Sequence, residues 1–164
     1  MIEMQDIIDI DAPVEHVFEC LVKSLQDIES YRAWHHEHES IEWLHGKPVE
    51  EGSVVHIKEY LNGVLTGLTF RFVEVVPNRL IRYRVRFPLS IIAPENRFEF
   101  EPIGEDSCRF TAYGRIRMPL WLFKKSHPAH EGKLKGSMQH MKEEGENLKG
   151  IAEGKRHEYR SYVQ

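Results

Sequence analysis

The chain has only two cysteines, Cys20 and Cys108, far apart and without Cys-x-x-Cys spacing. That excludes a thiolate zinc site and fits a reducing compartment. No apolar run approaches the roughly 18 residues a membrane helix needs. The opening Met1-Ile2-Glu3-Met4-Gln5-Asp6 has neither the basic start nor the apolar run of a secretory signal. Positive charge is not in surplus: 22 Lys and Arg stand against 26 Asp and Glu, for a net charge of -4. A general nucleic-acid binder normally shows the opposite balance. There is no repeat, low-complexity tract or linker. The expectation is a cytoplasmic protein of one domain, residues 1–164, with neither membrane nor nucleic acid among its partners. At 164 residues it buries enough surface to fold without a disulfide or metal staple.

What the sequence does have is histidine, ten in all. Imidazole is the commonest metal ligand and titrates nearest neutral pH. Their placement decides what they mean, so the elements come first. Met4 to Asp11 reads as a strand, and Asp11-Ala12-Pro13 stops it. Val14, Val17, Phe18 and Leu21 recur at helical spacing, which predicts a short helix over 13–24. A second short helix is predicted from Asp27 to His35, then a weak strand from Glu39 to Leu44.

Strands follow one another from there. Val55, Ile57, Glu59 and Leu61 share a face of one that ends at Asn62-Gly63, a strong hairpin signal. Leu68, Phe70 and Phe72 line the next, broken by Pro77-Asn78. Ile81, Tyr83, Val85 and Phe87 then alternate with Arg82, Arg84 and Arg86, predicting an apolar inner and a cationic outer face. Phe98 and Phe100 mark another strand; Cys108, Phe110, Ala112, Gly114 and Ile116 mark the last. Pro119 closes the β region, Trp121-Leu122-Phe123 forms an apolar knot, and a long helix is predicted from about Glu131 to about Lys155.

That order predicts an α+β helix-grip architecture. A curved antiparallel sheet wraps a long C-terminal helix, two short helices follow strand 1, and an internal cavity lies between sheet and helix. The order, with its opening Ile10-Asp11-Ala12-Pro13-Val14-Glu15-His16-Val17-Phe18, resembles the START/SRPBCC superfamily, which includes birch pollen allergen-like and polyketide cyclase-like proteins. The resemblance covers nearly the whole chain. It implies a cavity for an apolar or aromatic small molecule rather than any one reaction.

On the long helix, at about 100° per residue, Glu144 lies about 40° from His140, with Ile151 at about 20°, Leu148 at about 80° and Met141 at about 100°. His140 and Glu144 therefore share the apolar stripe that should face the sheet. An i, i+4 His and carboxylate is the spacing by which helices offer two ligands to one metal. The plainer reading is a surface pair, common in charged helices. Glu59 is the second anomaly, because period two places it between core-facing neighbours, where a carboxylate needs a partner. A bulge that turns it outward with Lys58 is the alternative; His56 falls on the opposite face.

The third element is Trp34-His35-His36-Glu37-His38, at the junction of the second helix and the next strand. If the helix continues through it, His35 and His38 share a face while His36 points elsewhere. A helix end also favours histidine near its negative pole, which needs no ligand. Together these supply one or two of the clustered histidines with Glu59, His140 and Glu144. His16, His45, His56, His127, His130 and His157 are expected on surfaces or turns.

This set resembles the metal site of the 2,4-diacetylphloroglucinol hydrolases, helix-grip enzymes that cleave a carbon–carbon bond beside a carbonyl. The resemblance implies zinc held by two His and two Glu, including one His-x-x-x-Glu pair on the final helix. His140 and Glu144 match that pair, Glu59 matches by strand position, and His38 or His35 by location after a Trp. The chain is much shorter than those enzymes, so metal binding carries over better than the substrate does. A mixed His/Glu set suits Zn²⁺, with Fe²⁺ or Mn²⁺ as alternatives. Such a metal polarises a substrate carbonyl and acidifies a bound water. Tyr83, on an inward strand face, is positioned to donate to a developing oxyanion, although core packing is the more usual role of such a residue.

Three readings follow: a metal-dependent hydrolase of a small aromatic or polyketide-like carbonyl compound, a non-catalytic carrier or sensor of an apolar ligand, and a metal-free cyclase or dehydratase using the same His. The sequence leaves a homodimer open.

Overall fold

The computed structural model describes residues 1–117 and 127–154. Strand β1 (Ile2–Ile10) leads into helices α1 (Val14–Ser24) and α2 (Ile28–Trp34). Six strands follow: β2 (His38–His45), β3 (Val54–Leu61), β4 (Val64–Val76), β5 (Leu80–Val85), β6 (Glu95–Gly104) and β7 (Ser107–Ile116). The last helix, α3, spans His127–Ala152. All strands join one antiparallel sheet in the order β1-β7-β6-β5-β4-β3-β2. Helix α3 touches β1, β7 and β3, although β3 lies five places from β1 in that order, so the sheet must bend around it. This is the helix-grip arrangement.

Local chemistry sets the boundaries. Helix α1 buries Val14, Val17 and Leu21, three of the four positions that helical spacing selects; Phe18 is half-buried and Cys20 is buried in addition. Helix α2 opens where Ser30 N–H donates to Asp27 Oδ1 at 2.8 Å, the N-cap bond that satisfies one of the first free helix N–H groups. It stops at Trp34, because His35 adopts extended backbone at φ -149°, ψ 139°. The helical continuation considered for residues 35–38 therefore does not occur. The β3–β4 hairpin turns on Asn62 (φ 52°) and Gly63 (φ 76°), the paired left-handed residues that a two-residue turn requires.

Other boundaries shift modestly. Helix α3 begins four residues before Glu131 and ends at Ala152, while β2 starts at His38 rather than Glu39. Phe87 is not an inward strand residue: β5 ends at Val85 and Phe87 is 74% exposed. Pro88, which follows it, has no N–H to extend a ladder. Pro119, the Trp121-Leu122-Phe123 knot and Lys155 lie outside the described residues.

Ile10, Val17, Leu21, Ile81, Phe110 and Leu148 are wholly buried between sheet and helices, each such side chain contributing about 1.5–3 kcal/mol. On α3, His140 and Leu148 are buried and Met141, Glu144 and Ile151 half-buried, as the angular reading expects. That stripe is wider than expected, taking in Gly145, Gly150 and Ala152. Gly145 lets α3 sit close on β1, since a Cβ there would stand 3.2 Å from Asp6 Oδ2. Among the described residues no helix is long and apolar enough to cross a membrane.

Candidate metal centre

Three elements meet beneath the bend of the sheet. Glu59 keeps its place in the alternation of β3: Val55, Ile57 and Glu59 are all buried, while Lys58 is exposed. His56 faces the other way and pairs with Thr69 Oγ1 at 2.9 Å. His38 is the cross-strand partner of Glu59, but the next pairing is Ser40 with Lys58, so β2 carries one extra residue there. Such a bulge re-aims a side chain, and here the His38 ring points inward beside Glu59. Helix α3 supplies His140 and Glu144. Its register against α2 is fixed by Trp34 Nε1–H donating to the Glu144 carbonyl (3.0 Å) and Asn147 Nδ2–H donating to the Trp34 carbonyl (2.9 Å).

The structure thus gathers His38, Glu59, His140 and Glu144. His38 Nε2 lies 2.9 Å from Glu144 Oε1, 3.3 Å from His140 Nε2 and 3.7 Å from Glu59 Oε2. His140 Nε2 lies 3.2 Å from Glu144 Oε1 and 3.4 Å from Glu59 Oε2. One ligand atom from each of the four falls within 4.8 Å of all the others. Bonds of 2.0–2.2 Å around a tetrahedral ion put its ligand atoms about 3.4 Å apart, and the measured separations bracket that value.

The hydrogen bonds around the rings say which atoms carry protons. His38 Nδ1 is 2.8 Å from the Tyr31 carbonyl, which only accepts, so Nδ1 carries the hydrogen. Neutral His38 then presents a lone pair at Nε2, aimed at a carboxylate 2.9 Å away. His140 repeats the pattern, with Nδ1 at 3.4 Å from Glu37 Oε1. Two imidazole lone pairs and two carboxylates facing one another require a cation between them, either a proton or a metal. With a proton in that place, burial would depress His140, but Glu144 and then Glu59 outweigh it and push the imidazolium up to about 11. Burial likewise works against the Glu144 carboxylate, yet His140 and then His38 hold its carboxyl far below the usual range.

Tyr31 supports two of the four. Besides its carbonyl, its hydroxyl donates to Glu59 Oε2 at 3.0 Å, and its ring stacks on His38 with centroids 3.9 Å apart. Burial and the neighbouring Glu59 charge raise the phenol well above its ordinary value, so it stays a donor.

His35 is arranged differently. It reaches the same neighbourhood as His38 and His140, but its Nδ1 accepts the Glu37 N–H at 2.9 Å. Its hydrogen therefore sits on Nε2, which donates to Glu143 Oε2 at 2.8 Å. Both nitrogens are committed, and neither offers the centre a lone pair. Burial, then the His140 charge, lowers its pKa to about 4. His36 is exposed. Of the remaining histidines, His16 and His45 are exposed. The side chains of His127, His130 and His157 lie outside the description.

Tyr31, Glu37 and Glu143 escaped the sequence reading. Glu37 lies inside the histidine cluster and was the one available signal; the other two act through partners on distant segments.

Glu59, His140 and Glu144 form the polar end of a cavity of about 100 Å³ lined chiefly by Trp34, Phe70, Phe72, Tyr83 and Phe98, with His38 Nε2 2.9 Å from Glu144 Oε1. Tyr83 lies among those aromatic rings, 5.3 Å from Phe98 between centroids. Its hydroxyl has no hydrogen-bond partner among the described residues. Burial, then the Glu144 and Glu59 charges, raises its pKa, which keeps it protonated.

Residues 1–151 match the family described as polyketide cyclase / dehydrase and lipid transport. No curated protein matches the chain. In structure it is similar to an aromatase/cyclase from Streptomyces sp. R1128 (19% identity, 93% of each chain, TM-score 0.68). It is also similar to norcoclaurine synthase from Thalictrum flavum (12% identity, 93% of this chain and 94% of that one, TM-score 0.66). A START superfamily protein from Mycobacterium smegmatis shares 15% identity, with 85% of this chain and 96% of that one covered at a TM-score of 0.54. At these identities the likeness is one of fold. The sequence match spans both short helices, the whole sheet and α3 to Ile151, and the chain belongs to the polyketide cyclase / dehydrase and lipid transport family, within the START/SRPBCC superfamily.

Proposed function

We propose that the protein is a metal-dependent enzyme that hydrolyses a small aromatic or polyketide-like carbonyl compound in its cavity. His38, Glu59, His140 and Glu144 would hold the ion, Zn²⁺ by preference and Fe²⁺ or Mn²⁺ as alternatives, a choice that follows from the mixed nitrogen and oxygen donors. One observation carries the reading: both imidazoles commit Nδ1 to an outside acceptor and turn Nε2 toward the Glu59 and Glu144 carboxylates. Metal-ligating histidines are characteristically oriented in this way. When bound, the ion supplies a Lewis acid for a carbonyl oxygen.

The chain's own groups do the rest. Tyr83 is a protonated donor facing the cavity, placed to stabilise negative charge developing on a carbonyl oxygen. The aromatic walls exclude water and take a flat, apolar ligand. The cavity of about 100 Å³ limits that ligand: an apolar cavity of about 150 Å³ holds benzene. Even a single ring therefore fits only if the walls move apart.

Elemental analysis of protein purified without chelators tests this directly. About one divalent ion per chain is expected, and the double variant His140→Ala, Glu144→Ala should lose it while keeping the fold. Occupancy below about a tenth, with no tight rebinding of Zn²⁺ or Fe²⁺, would sink the proposal. The competing reading is a metal-free cyclase or dehydratase using His140 as general acid/base, supported by its position on the cavity wall beside Glu59 and Glu144. Deacylation of simple acylphenols by the metal-loaded protein, absent after metal removal, separates the two.

A further inference from the structure

The arginines on the strands, taken with Arg86 one residue past β5, divide into two groups. Arg82 pairs with Glu74, Arg97 with Glu95 and Glu99, Arg109 with Asp9 and Arg115 with Glu3. Arg71, Arg84 and Arg86 have no side-chain partner among the described residues. All three are exposed and lie together. Arg71 stands directly opposite Arg84 in the β4–β5 register, and Arg86 follows two residues on, its N–H bonded to the Thr69 carbonyl at 2.7 Å. Like charges placed directly opposite destabilise a sheet. Among the described residues no acidic side chain is set against them.

These arginines line a groove of about 660 Å³ on the outer part of the sheet, with Leu44, His45 and Phe87 on its walls. Leu44 is 50% and Phe87 74% exposed, so the groove offers bare apolar surface beside bare cationic charge. Its volume falls in the range of about 300–1,000 Å³ typical of small-molecule sites.

We propose that this groove is a second binding site, for a small amphiphilic oxyanion: a carboxylate or phosphate ester on a flat apolar body. Guanidinium groups suit planar or tetrahedral oxyanions because their N–H groups fork around two oxygens. An anion between Arg71 and Arg84 also relieves their mutual repulsion, and Phe87 and Leu44 offer the surface against which an aromatic body packs. Phe70 lines both this groove and the inner cavity, so the two sites share a wall. The inference stands independently of the metal reading.

Titrating the intact protein with 1-naphthyl phosphate, 1-naphthol and inorganic phosphate, followed by calorimetry and NMR shift mapping, tests it. Naphthyl phosphate should bind with shifts centred on Thr69, Val73 and Phe87, and more weakly as salt rises. Binding should weaken by about tenfold or more in Arg71→Gln, Arg84→Gln, since each lost charge-assisted bond is worth that much. Inorganic phosphate and naphthol should each bind more weakly than the combined ligand, and His140→Ala should leave binding unchanged. A folded Arg71→Gln, Arg84→Gln variant that binds like the parent would overturn the proposal. So would naphthol binding as tightly as its phosphate, or binding of phosphatidylglycerol vesicles or an acidic peptide with none of naphthyl phosphate.

Discussion

Replacing Tyr31 with Phe removes one oxygen and leaves the ring stacked on His38 and the carbonyl on His38 Nδ1. What is lost is the 3.0 Å bond to Glu59 Oε2, made by a hydroxyl whose residue is 2% exposed. In the metal-free protein this strips a donor from a buried carboxylate, at a cost of about 1.5–3 kcal/mol for a bond to a charged group. For a chain of this size that corresponds to a fall in Tm of roughly 3–12 °C. In the metal-loaded protein the same oxygen orients a ligand, and loss of such a partner typically weakens metal affinity by about 10- to 100-fold, or about 1.4–2.7 kcal/mol. Thermal unfolding of chelator-treated protein reads the first effect; competition with a chromophoric chelator reads the second. A Tyr31→Phe variant with unchanged Tm would refute the hydrogen-bond argument. Unchanged chelator competition alongside a lowered Tm would show that Glu59 does not ligate.

Other outcomes follow from burial and charge. Asp6 has its pKa raised by burial, opposed more weakly by Lys142. A carboxyl raised on folding favours the folded state below its unfolded pKa, and that advantage disappears as pH rises through the folded value. Asp6→Asn should therefore raise Tm at pH 7 and leave it unchanged near pH 3, as calorimetry at the two pH values would show. Leu148→Ala empties a fully buried position beneath the sheet and should cost about 2–5 kcal/mol in denaturant unfolding; a loss under 1 kcal/mol would mean that α3 is not packed as described.

Much of this architecture was legible because periodicity reports burial directly. The alternation of Val55, Ile57 and Glu59 singled out Glu59, and angular position on α3 placed His140 and Glu144 on one stripe. His38 was harder, because a bulge shifts the register by one residue and no side-chain pattern announces it. The choice between His35 and His38 depends on which backbone groups meet Nδ1, the Tyr31 carbonyl in one case and the Glu37 N–H in the other. Those contacts depend on where α2 stops, and His35, taken as a continuation of that helix, is instead extended. The groove was hidden for another reason: Arg84 and Arg86 looked like an ordinary solvated face until their paired neighbours made the missing carboxylates visible.

The bulge after His38 has a further consequence, for how the protein behaves among its own copies. Strand β2 is the last in its sheet, and a straight edge strand is a template on which another chain can add itself. Here the regular ladder is broken twice, after His38 and again between Trp43 and His45. Arg32 Nε–H also occupies the Glu39 carbonyl at 2.8 Å. The irregularity that turns an imidazole inward thus also spoils the edge for self-association. A variant that straightened β2, by deleting Glu39 for example, would misplace His38 and expose a continuous edge, so that loss of the site and a tendency to aggregate would arrive together.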